Sequence, residues 1–453
     1  MRSPSSAGSS THPAGDADGP PDGADAGRAG LRSMGLFRRL GWGVADQGIS
    51  SLGNLVLGLL VARSLGPEGF GAFSLAFVTF GFVLAASRGP STDPLLVRFS
   101  GVQPSAWRQA VAASTATALV SGVIAGLGCI AVGLALPSTV GAGLVALGFG
   151  LPGILLQDSY RFAWFAQGRG DKAFVNDLVW AVLQIGAVLA LVATGRATDV
   201  TCVLAFGGTA TLAALVGLAQ SRIRPQLRRV RAWLVDHRDL GGRYLAENVS
   251  VGGARQVRMF AVGAIAGLTA VGEIRAAEIL MGPFLVLLSG VSQVAIPEAG
   301  HVLDRAPERL ERFCLWLGLV PAVAATAWGV AVYVILPQGP GELLLADLWK
   351  PAWSLLVPMT AVLVTGCFLN AAAAGVRALG ASRRSLAAQL SNAALYLVCG
   401  SLGAAVDGAA GSTWGLVLAG VVGCVIWRYE LRMALTEHCA ALGHEPIAGR
   451  ESS

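Results

Sequence analysis

The sequence predicts an all-α integral membrane protein with about twelve transmembrane helices. Only 13% of its residues are charged, against about 25% in a typical soluble domain. Apolar residues make up 54%, and the mean hydropathy is +0.62. Apolar stretches of about 20 residues, the length that crosses the hydrocarbon core as a helix, recur from Val44 almost to the end. Together these observations exclude a soluble globular protein.

The apolar stretches form two sets of six. The first set lies near 43–63, 71–88, 109–136, 139–157, 173–194 and 199–220. The second set lies near 245–267, 272–297, 313–337, 353–376, 386–406 and 411–429. The predicted domains are a disordered cytoplasmic tail at 1–35, an N-lobe at 36–220, a basic cytoplasmic linker at 221–243, a C-lobe at 244–430 and a cytoplasmic C-terminal tail at 431–453.

The distribution of Arg and Lys predicts the orientation. Basic residues accumulate in cytoplasmic loops, and an assignment with both termini inside leaves only Arg63, Arg196 and Lys350 in outside segments. The net charge of +6 therefore follows from topology and not from a nucleic-acid surface. We expect a multi-pass membrane protein with both termini in the cytoplasm. Its expected partner is the lipid bilayer, and we expect no nucleic-acid partner.

Cysteine and histidine give no sign of a metal site. The seven cysteines have no CxxC spacing, and the five histidines lie in the tail or in cytoplasmic segments without a zinc-like cluster. We expect no metal and no cofactor.

A weak internal repeat relates the two sets of spans. An offset of 203 residues pairs Leu65 with Leu268 and Gly69 with Gly272, and just upstream an offset of 201 pairs residues 45–47 with 246–248. The repeat predicts two homologous six-helix bundles of the same orientation, related by an axis along the membrane normal. Transporters use such halves for alternating access, with the substrate site between them.

Polar residues form one face in each of two equivalent spans. Span 1 carries Asp46, Gln47, Ser50 and Asn54 within a sector of about 100°. Span 7 carries Glu247, Asn248, Arg255 and Arg258 in a similar sector. If span 7 begins near Tyr244, the two arginines lie roughly 17–21 Å into it, near the middle of the bilayer. The predicted cavity residues are Arg255, Arg258, Asp46, Gln47, Asn54, Glu247 and Asn248.

Three interpretations of Arg255 and Arg258 remain open. In the first, they line a water-filled cavity and attract an anionic group such as a phosphate, which the planar guanidinium fork suits. In the second, they pair with Glu247 or Glu278 and hold the halves together. In the third, span 7 starts later and both arginines reach the cytoplasmic surface.

Span 8 adds Arg275 and Glu278, spaced for a local ion pair. A structural pair is one role for them. Alternatively, Glu278 is a protonatable site that couples transport to an ion gradient.

Two turns carry a family resemblance. The segment from Asp46 to Arg98, especially VARSLGPEGFGAFSLA, resembles the first two helices of bacterial polysaccharide-export flippases. VGEIRAAEIL, from Val271 to Leu280, resembles the counterpart turn in the second half. These flippases belong to the multidrug/oligosaccharidyl-lipid/polysaccharide (MOP) exporter superfamily. The resemblance implies a MATE-like fold, with two pseudo-symmetric six-helix lobes around a central cavity.

The resemblance also implies a substrate. The implied substrate is an undecaprenyl-pyrophosphate-linked oligosaccharide or a related polysaccharide precursor, flipped from the inner to the outer leaflet of the bacterial plasma membrane. Polysaccharide assembly enzymes are implied as further partners. Arg255 and Arg258 would receive the pyrophosphate. Span 1 offers Asp46 where lipid II flippases generally have an arginine, so peptidoglycan precursor transport is the less favoured branch.

Two other classes compete with this hypothesis. A multidrug exporter of the same superfamily would share the fold and the repeat. A multipass polymerase, ligase or glycosyltransferase would need a large outward loop with catalytic side chains, but the longest one, 337–353, offers only Glu342, Asp347 and Lys350. The chain also has no GxxxxGK[ST] phosphate loop, so an ATP-driven pump of that kind is excluded. We therefore predict a transporter and not an enzyme.

Overall fold

The computed structural model describes residues 23–136 and 138–441. Its description of side chains leaves out residues 23–40, 44, 247, 250–252, 286, 287, 289–294, 296, 297 and 441. Much of the predicted tail at 1–35 and the end of the predicted tail at 431–453 lie outside the described residues, so both stay predictions. No strand occurs in the part of the chain that the structure describes.

Six helices form the N-lobe. They are α1 (Gly23–Arg88), α2 (Thr92–Phe99), α3 (Pro104–Ala135), α4 (Thr139–Ala166), α5 (Gly170–Ala193) and α6 (Asp199–Ser221). Helix α4 packs between α3 and α6, and α5 packs against α1. Phe77, Phe80 and Phe206 pack with ring centroids 5.0–5.5 Å apart in the core of this lobe.

The C-lobe follows a short connection made of a 3₁₀ turn, Leu227–Arg229, and α7 (Val230–Asp236). Its helices are α8 (Arg238–Arg305), α9 (Leu310–Ile335), α10 (Pro340–Leu345), α11 (Trp349–Ser354), α12 (Leu356–Ala378) and α13 (Ser382–Ala441). Helix α12 packs against α8, α9 and α13, and α8 packs along α1 of the other lobe.

Three of the helices contain a sharp break. Helix α1 breaks at Gly66 (φ 67°), α8 at Gly267 (φ 87°) and α13 at Gly408 (φ 50°). Glycine is suited to these positions because a Cβ atom disfavours positive φ. Pro67 follows the first break and can open the next helix because the first helical N–H needs no partner there. Each of the three helices therefore contains two crossings.

The number of crossings agrees with the sequence. Among the described residues, nine helical stretches are long and apolar enough to cross a membrane. Three of these stretches contain the breaks at Gly66, Gly267 and Gly408. The fold is therefore all-α with about twelve transmembrane crossings in two lobes, and the predicted fold class is confirmed. Some helices extend beyond the predicted spans: span 4 was predicted to end near residue 157, but α4 continues to Ala166, and span 12 was predicted to end near residue 429, but α13 continues to Ala441.

The lobes touch through equivalent turns. A Cβ atom on Gly71 would overlap the carbonyl oxygen of Leu268, and a Cβ atom on Gly272 would overlap the carbonyl oxygen of Pro67. Both pairs are related by an offset of 201 residues, so each lobe makes the same contact with the other. A reciprocal contact of this kind is expected of two units related by a two-fold axis.

The reciprocal contact corrects the predicted repeat. The breaks at Gly66 and Gly267 also differ by 201 residues. The predicted offset of 203 at this turn, which paired Leu65 with Leu268 and Gly69 with Gly272, is therefore wrong by two residues. The offset of 201 that pairs residues 45–47 with 246–248 therefore continues through the turn.

Candidate substrate site

Three arginines of α8 converge on one carboxylate. Arg275 Nη1 and Arg255 Nη2 donate to Glu278 Oε2 at 2.8 and 2.9 Å. Arg258 Nη2 lies 3.8 Å from Glu278 Oε1. The break at Gly267 makes this possible, because it separates the helix that carries Arg255 and Arg258 from the helix that carries Arg275 and Glu278. We call these four residues the arginine cluster.

The arginine cluster has an excess of positive charge. Three guanidiniums, which remain protonated in proteins, face a single described carboxylate. The side chain of Arg258 is only 5% exposed, and its Nη1 atom is buried without a hydrogen-bond partner among the described residues. A buried charged donor without a partner costs free energy. The cluster is therefore suited to accept an anion.

Two members of the cluster reach a cavity between the lobes. This cavity, about 220 Å³ in volume, is lined by Arg255 and Arg275 on one side and by residues of α1, from Phe77 to Phe82, on the other. The Arg275 guanidinium lies 5.3 Å from the centre of the Phe77 ring, within the range of a cation–π contact. The positive charge is thus presented at the interface between the two lobes.

The arginine cluster is not repeated in the N-lobe. At the offset of 201 residues, the equivalents of Arg255, Arg258, Arg275 and Glu278 are Asn54, Leu57, Ser74 and Phe77. The lobes therefore share a fold but differ in the charge they carry.

Asp46, predicted to line the same cavity as the arginines, lies in a separate cluster inside the N-lobe. It is fully buried and accepts hydrogen bonds from Arg161 Nε and Nη2 at 2.8 and 2.5 Å. Arg161 also lies 3.0 Å from Asp177. The structure therefore does not bring Asp46 to Arg255 and Arg258.

The remaining charges of the N-lobe cluster come from α1 and α4. Arg88 donates two hydrogen bonds to Asp158, at 2.9 and 2.7 Å, and Asp158 lies 3.9 Å from Arg161. With Asp46 and Asp177, the described cluster holds three carboxylates and two guanidiniums, and Asp46 Oδ1 has no hydrogen-bond partner. Its balance is thus opposite in sign to that of the arginine cluster.

Arg161 was not among the predicted site residues, because it lies beyond residue 157, where span 4 was predicted to end. Its spacing from Asp158, three residues along the chain, is the signal that both belong to a continuing helix. Within the described residues, no group of three or more His, Cys, Asp or Glu side chains is arranged to hold a metal ion.

The other predicted cavity residues are dispersed. Gln47 is exposed and donates to Ser51 at 3.2 Å, and Asn54 is also exposed. Asn248 donates to the carbonyl of Ala85 at 2.9 Å and so links the two lobes. The side chain of Glu247 lies outside the described residues.

Glu278, considered as an ion-coupling site or as a structural partner, has guanidiniums of three arginines within 4 Å. These charges stabilise the ionised carboxylate. This geometry favours a fixed counter-charge over a group that binds and releases a proton.

A second, larger cavity lies within the C-lobe and was missed in the sequence. Its volume is about 530 Å³, and its polar lining residues are Asn248, Asn370, Arg377, Gln389, Asn392 and Tyr396. The missed signal was helical spacing: Gln389, Asn392 and Tyr396 recur at intervals of three and four, which places them on one face of α13.

No protein-family model matches the chain, and no curated protein sequence matches it. Solved structures do. The chain is similar to an inward-facing multidrug-resistance MATE transporter of the MOP superfamily, with a TM-score of 0.69 and 18% identity over 89% of this chain and 96% of that one. It is also similar to the lipid II flippase MurJ in an inward closed conformation, with a TM-score of 0.62 and 11% identity over 89% and 92% of the two chains.

A third neighbour is a MOP superfamily transporter from Pyrococcus furiosus described as having a binding pocket of reverse polarity. Its TM-score is 0.54 at 17% identity, and the match covers 91% of this chain and 96% of that chain. The TM-score is 0.54 against an outward-facing MATE transporter and 0.69 against the inward-facing one. The helix arrangement of this chain is therefore more similar to that of the inward-facing structure. The protein is therefore a multi-pass membrane protein with the fold of the MOP superfamily transporters.

Proposed function

We propose that the protein flips an undecaprenyl-pyrophosphate-linked oligosaccharide, or a related polysaccharide precursor, across the plasma membrane by alternating access. The observation that carries this proposal is the positive charge of the arginine cluster, where three guanidiniums face one carboxylate among the described residues and lie at the cavity between the lobes. A pyrophosphate supplies the missing negative charge, and its oxygens suit the planar guanidinium fork.

The same charge argues against a cationic drug as the substrate. A cation entering the cavity at Arg255 and Arg275 would meet like charge, with Glu278 already occupied by three guanidiniums. An exporter of anionic small molecules is the alternative within this fold.

The neighbours support a transporter over an enzyme, because those with this fold are named as transporters and one as a flippase. MurJ is named a lipid II flippase, so a lipid-linked substrate has a precedent in this fold. The turns from Val61 to Ala76 and from Val271 to Leu280 resemble those of polysaccharide-export flippases, which favours a lipid-linked glycan. On this proposal, the enzymes of polysaccharide assembly supply the substrate and use the product.

Leaflet translocation in proteoliposomes tests the proposal. The probe is a fluorescent undecaprenyl-pyrophosphate oligosaccharide, and wild type is compared with the Arg255→Met, Arg258→Met double variant. We expect flipping to fall about tenfold or more, because one charge-assisted hydrogen bond contributes about 1.5–3 kcal/mol. Arg196→Met is the matched control, since Arg196 is exposed and lies in neither cluster.

Three results would contradict the proposal. If the double variant flips the probe at the wild-type rate, the arginine cluster is not the anion site. If folded wild type moves a fluorescent organic anion and not the glycan lipid, the protein is a small-molecule exporter. If the lipid is chemically altered, the protein is an enzyme.

A further inference from the structure

The amide-lined cavity of the C-lobe has the size of a ligand site. It lies among α8, α9, α12 and α13, and its volume of about 530 Å³ falls within the roughly 300–1,000 Å³ typical of small-molecule pockets. It is separate from the cavity at Arg255 and Arg275, because the two have no lining residue in common.

Three of the amides that line this cavity have no hydrogen-bond partner among the described residues. Asn370 extends from α12, and Gln389 and Asn392 extend from α13. Asn392 Oδ1 is buried and has no hydrogen-bond partner among the described residues. The same part of the chain provides no hydrogen bond to the side chains of Asn370 and Gln389. The buried Asn392 oxygen is costly unless water or a ligand satisfies it, whereas Gln389 is half-buried and Asn370 is exposed, so their amides are accessible to a ligand.

The charge of the lining restricts the class of ligand. None of the described lining residues is acidic, and Arg377, exposed in the last turn of α12, is the single charged one. A cation would therefore find no counter-charge among these described residues, and an apolar molecule would leave the amides unpaired. A hydroxyl both donates and accepts, as the paired groups of an amide do. The lining thus suits a neutral, hydroxyl-rich ligand, with Tyr396 and Trp427 as its aromatic surfaces.

The cavity ends beside the arginine cluster. Gly400 follows Tyr396 by one turn of α13, and a Cβ atom on Gly400 would lie only 2.8 Å from Arg258 Cδ. The stem of Arg258 therefore packs on α13 just beyond Tyr396. From Gln389 to Tyr396 the helix rises about 10 Å. A substrate whose anionic group lies at the arginine cluster can extend a neutral portion of that length into the cavity.

We propose that this cavity binds the carbohydrate portion of the substrate, an inference that rests on the proposed flippase function. Asn370 and Gln389 hydrogen-bond to sugar hydroxyls, and Tyr396 closes the end nearest to Arg258. The two sites then divide recognition: the arginine cluster binds the pyrophosphate, and the C-lobe cavity selects for the glycan.

Two fluorescent lipids that differ only in their sugars test this division. One is undecaprenyl pyrophosphate, and the other is the same lipid carrying chitotetraose, a neutral tetrasaccharide. The variant is Asn370→Leu, Gln389→Leu, which removes both amides at similar volume. Asn392 is left intact, because its amide packs tightly against Gly423.

We expect the double variant to flip the glycosylated lipid about tenfold more slowly, the effect of losing one to two hydrogen bonds, and the sugar-free lipid within about twofold of wild type. Gln338→Leu is the matched control, because Gln338 lies outside the cavity and donates to the carbonyl of Val334. Equal slowing of both lipids, or an unchanged rate for the glycosylated lipid, would overturn the inference. Wild type that flips only the sugar-free lipid would also overturn it.

If wild type moves neither lipid, the proposed function fails and the cavity is tested alone. Purified protein is then heated with soluble chitotetraose or maltotetraose. A rise in unfolding temperature that the Asn370→Leu, Gln389→Leu variant lacks would keep the carbohydrate site. No rise with wild type would overturn it.

Discussion

The guanidinium of Arg258 lies 3.8 Å from the carboxylate of Glu278, and its Nη1 atom is buried without a hydrogen-bond partner in the described part of the chain. Arg255 and Arg275 occupy the closer positions on the same carboxylate. Arg258 is therefore the least neutralised of the three arginines. This relationship makes the C-lobe cluster suited to an incoming anion as well as to packing.

Removing the carboxylate should be far more damaging than removing one arginine. Glu278→Gln leaves three guanidiniums unpaired, and we expect it to destabilise the fold by about 3–5 kcal/mol. Arg255→Gln removes one positive charge from the cluster. Because the Arg255 side chain is 56% exposed, the free energy of unfolding of the protein should change by less than about 1 kcal/mol, whereas flipping should slow. Thermal unfolding in detergent and the flipping assay measure the two effects. A fully stable Glu278→Gln variant would show that another group, such as Glu247, neutralises the arginines.

The Asp46–Arg161 pair should be strongly coupled. Arg161→Met leaves Asp46 and Asp177 without their shared partner, whereas Asp46→Asn leaves Arg161 paired with Asp177. We expect the double variant to be more stable than the sum of the single effects predicts, with a coupling energy of about 0.5–3 kcal/mol. Unfolding of all four proteins gives this value. The same double-mutant cycle on the exposed pair Arg169–Asp171 is the control, for which we expect a coupling energy of about 0–1 kcal/mol. Equal coupling energies in the two cycles would contradict the prediction.

Gly71→Ala should disturb the contact between the lobes. The new Cβ atom would overlap the carbonyl oxygen of Leu268, which is backbone and cannot rotate away. Overpacking of this kind costs about 1–3 kcal/mol. If flipping requires the lobes to close at this turn, the rate should fall roughly tenfold. Gly186→Ala is the control, because no atom lies within 4 Å of its Cβ position. Normal flipping by Gly71→Ala would show that transport does not require close contact at this turn.

Cysteine labelling tests the predicted orientation. The seven native cysteines are buried or half-buried, whereas Lys350 and Arg383 are exposed. With the cytoplasmic termini predicted from loop charges, Lys350→Cys should react with a membrane-impermeant maleimide in intact cells. Arg383→Cys should react only after permeabilisation. The reverse pattern would contradict the predicted topology.

Much of the fold follows from the sequence because it depends on local properties. Hydropathy and helix length are determined residue by residue, so about twelve crossings and their order could be predicted. Gly66 in α1 and Gly267 in α8 each divide a continuous helix into two crossings. The register of the repeat was harder to predict from the sequence, because short matches such as Leu65 with Leu268 occur by chance. The reciprocal contacts of Gly71 and Gly272, which set the register, are visible only in the folded structure.

The sequence by itself determined a membrane protein of two six-span halves and identified Arg255, Arg258, Arg275 and Glu278 as charges within the spans. Only the tertiary structure decided their partners. It placed three arginines on one carboxylate, assigned Asp46 to Arg161 in the other lobe, and opened an amide-lined cavity behind Tyr396. The physical reason is that a charge buried in the bilayer needs a partner, but which residue becomes that partner depends on helix packing. Asp46 and Arg161, for example, are 115 positions apart in the sequence.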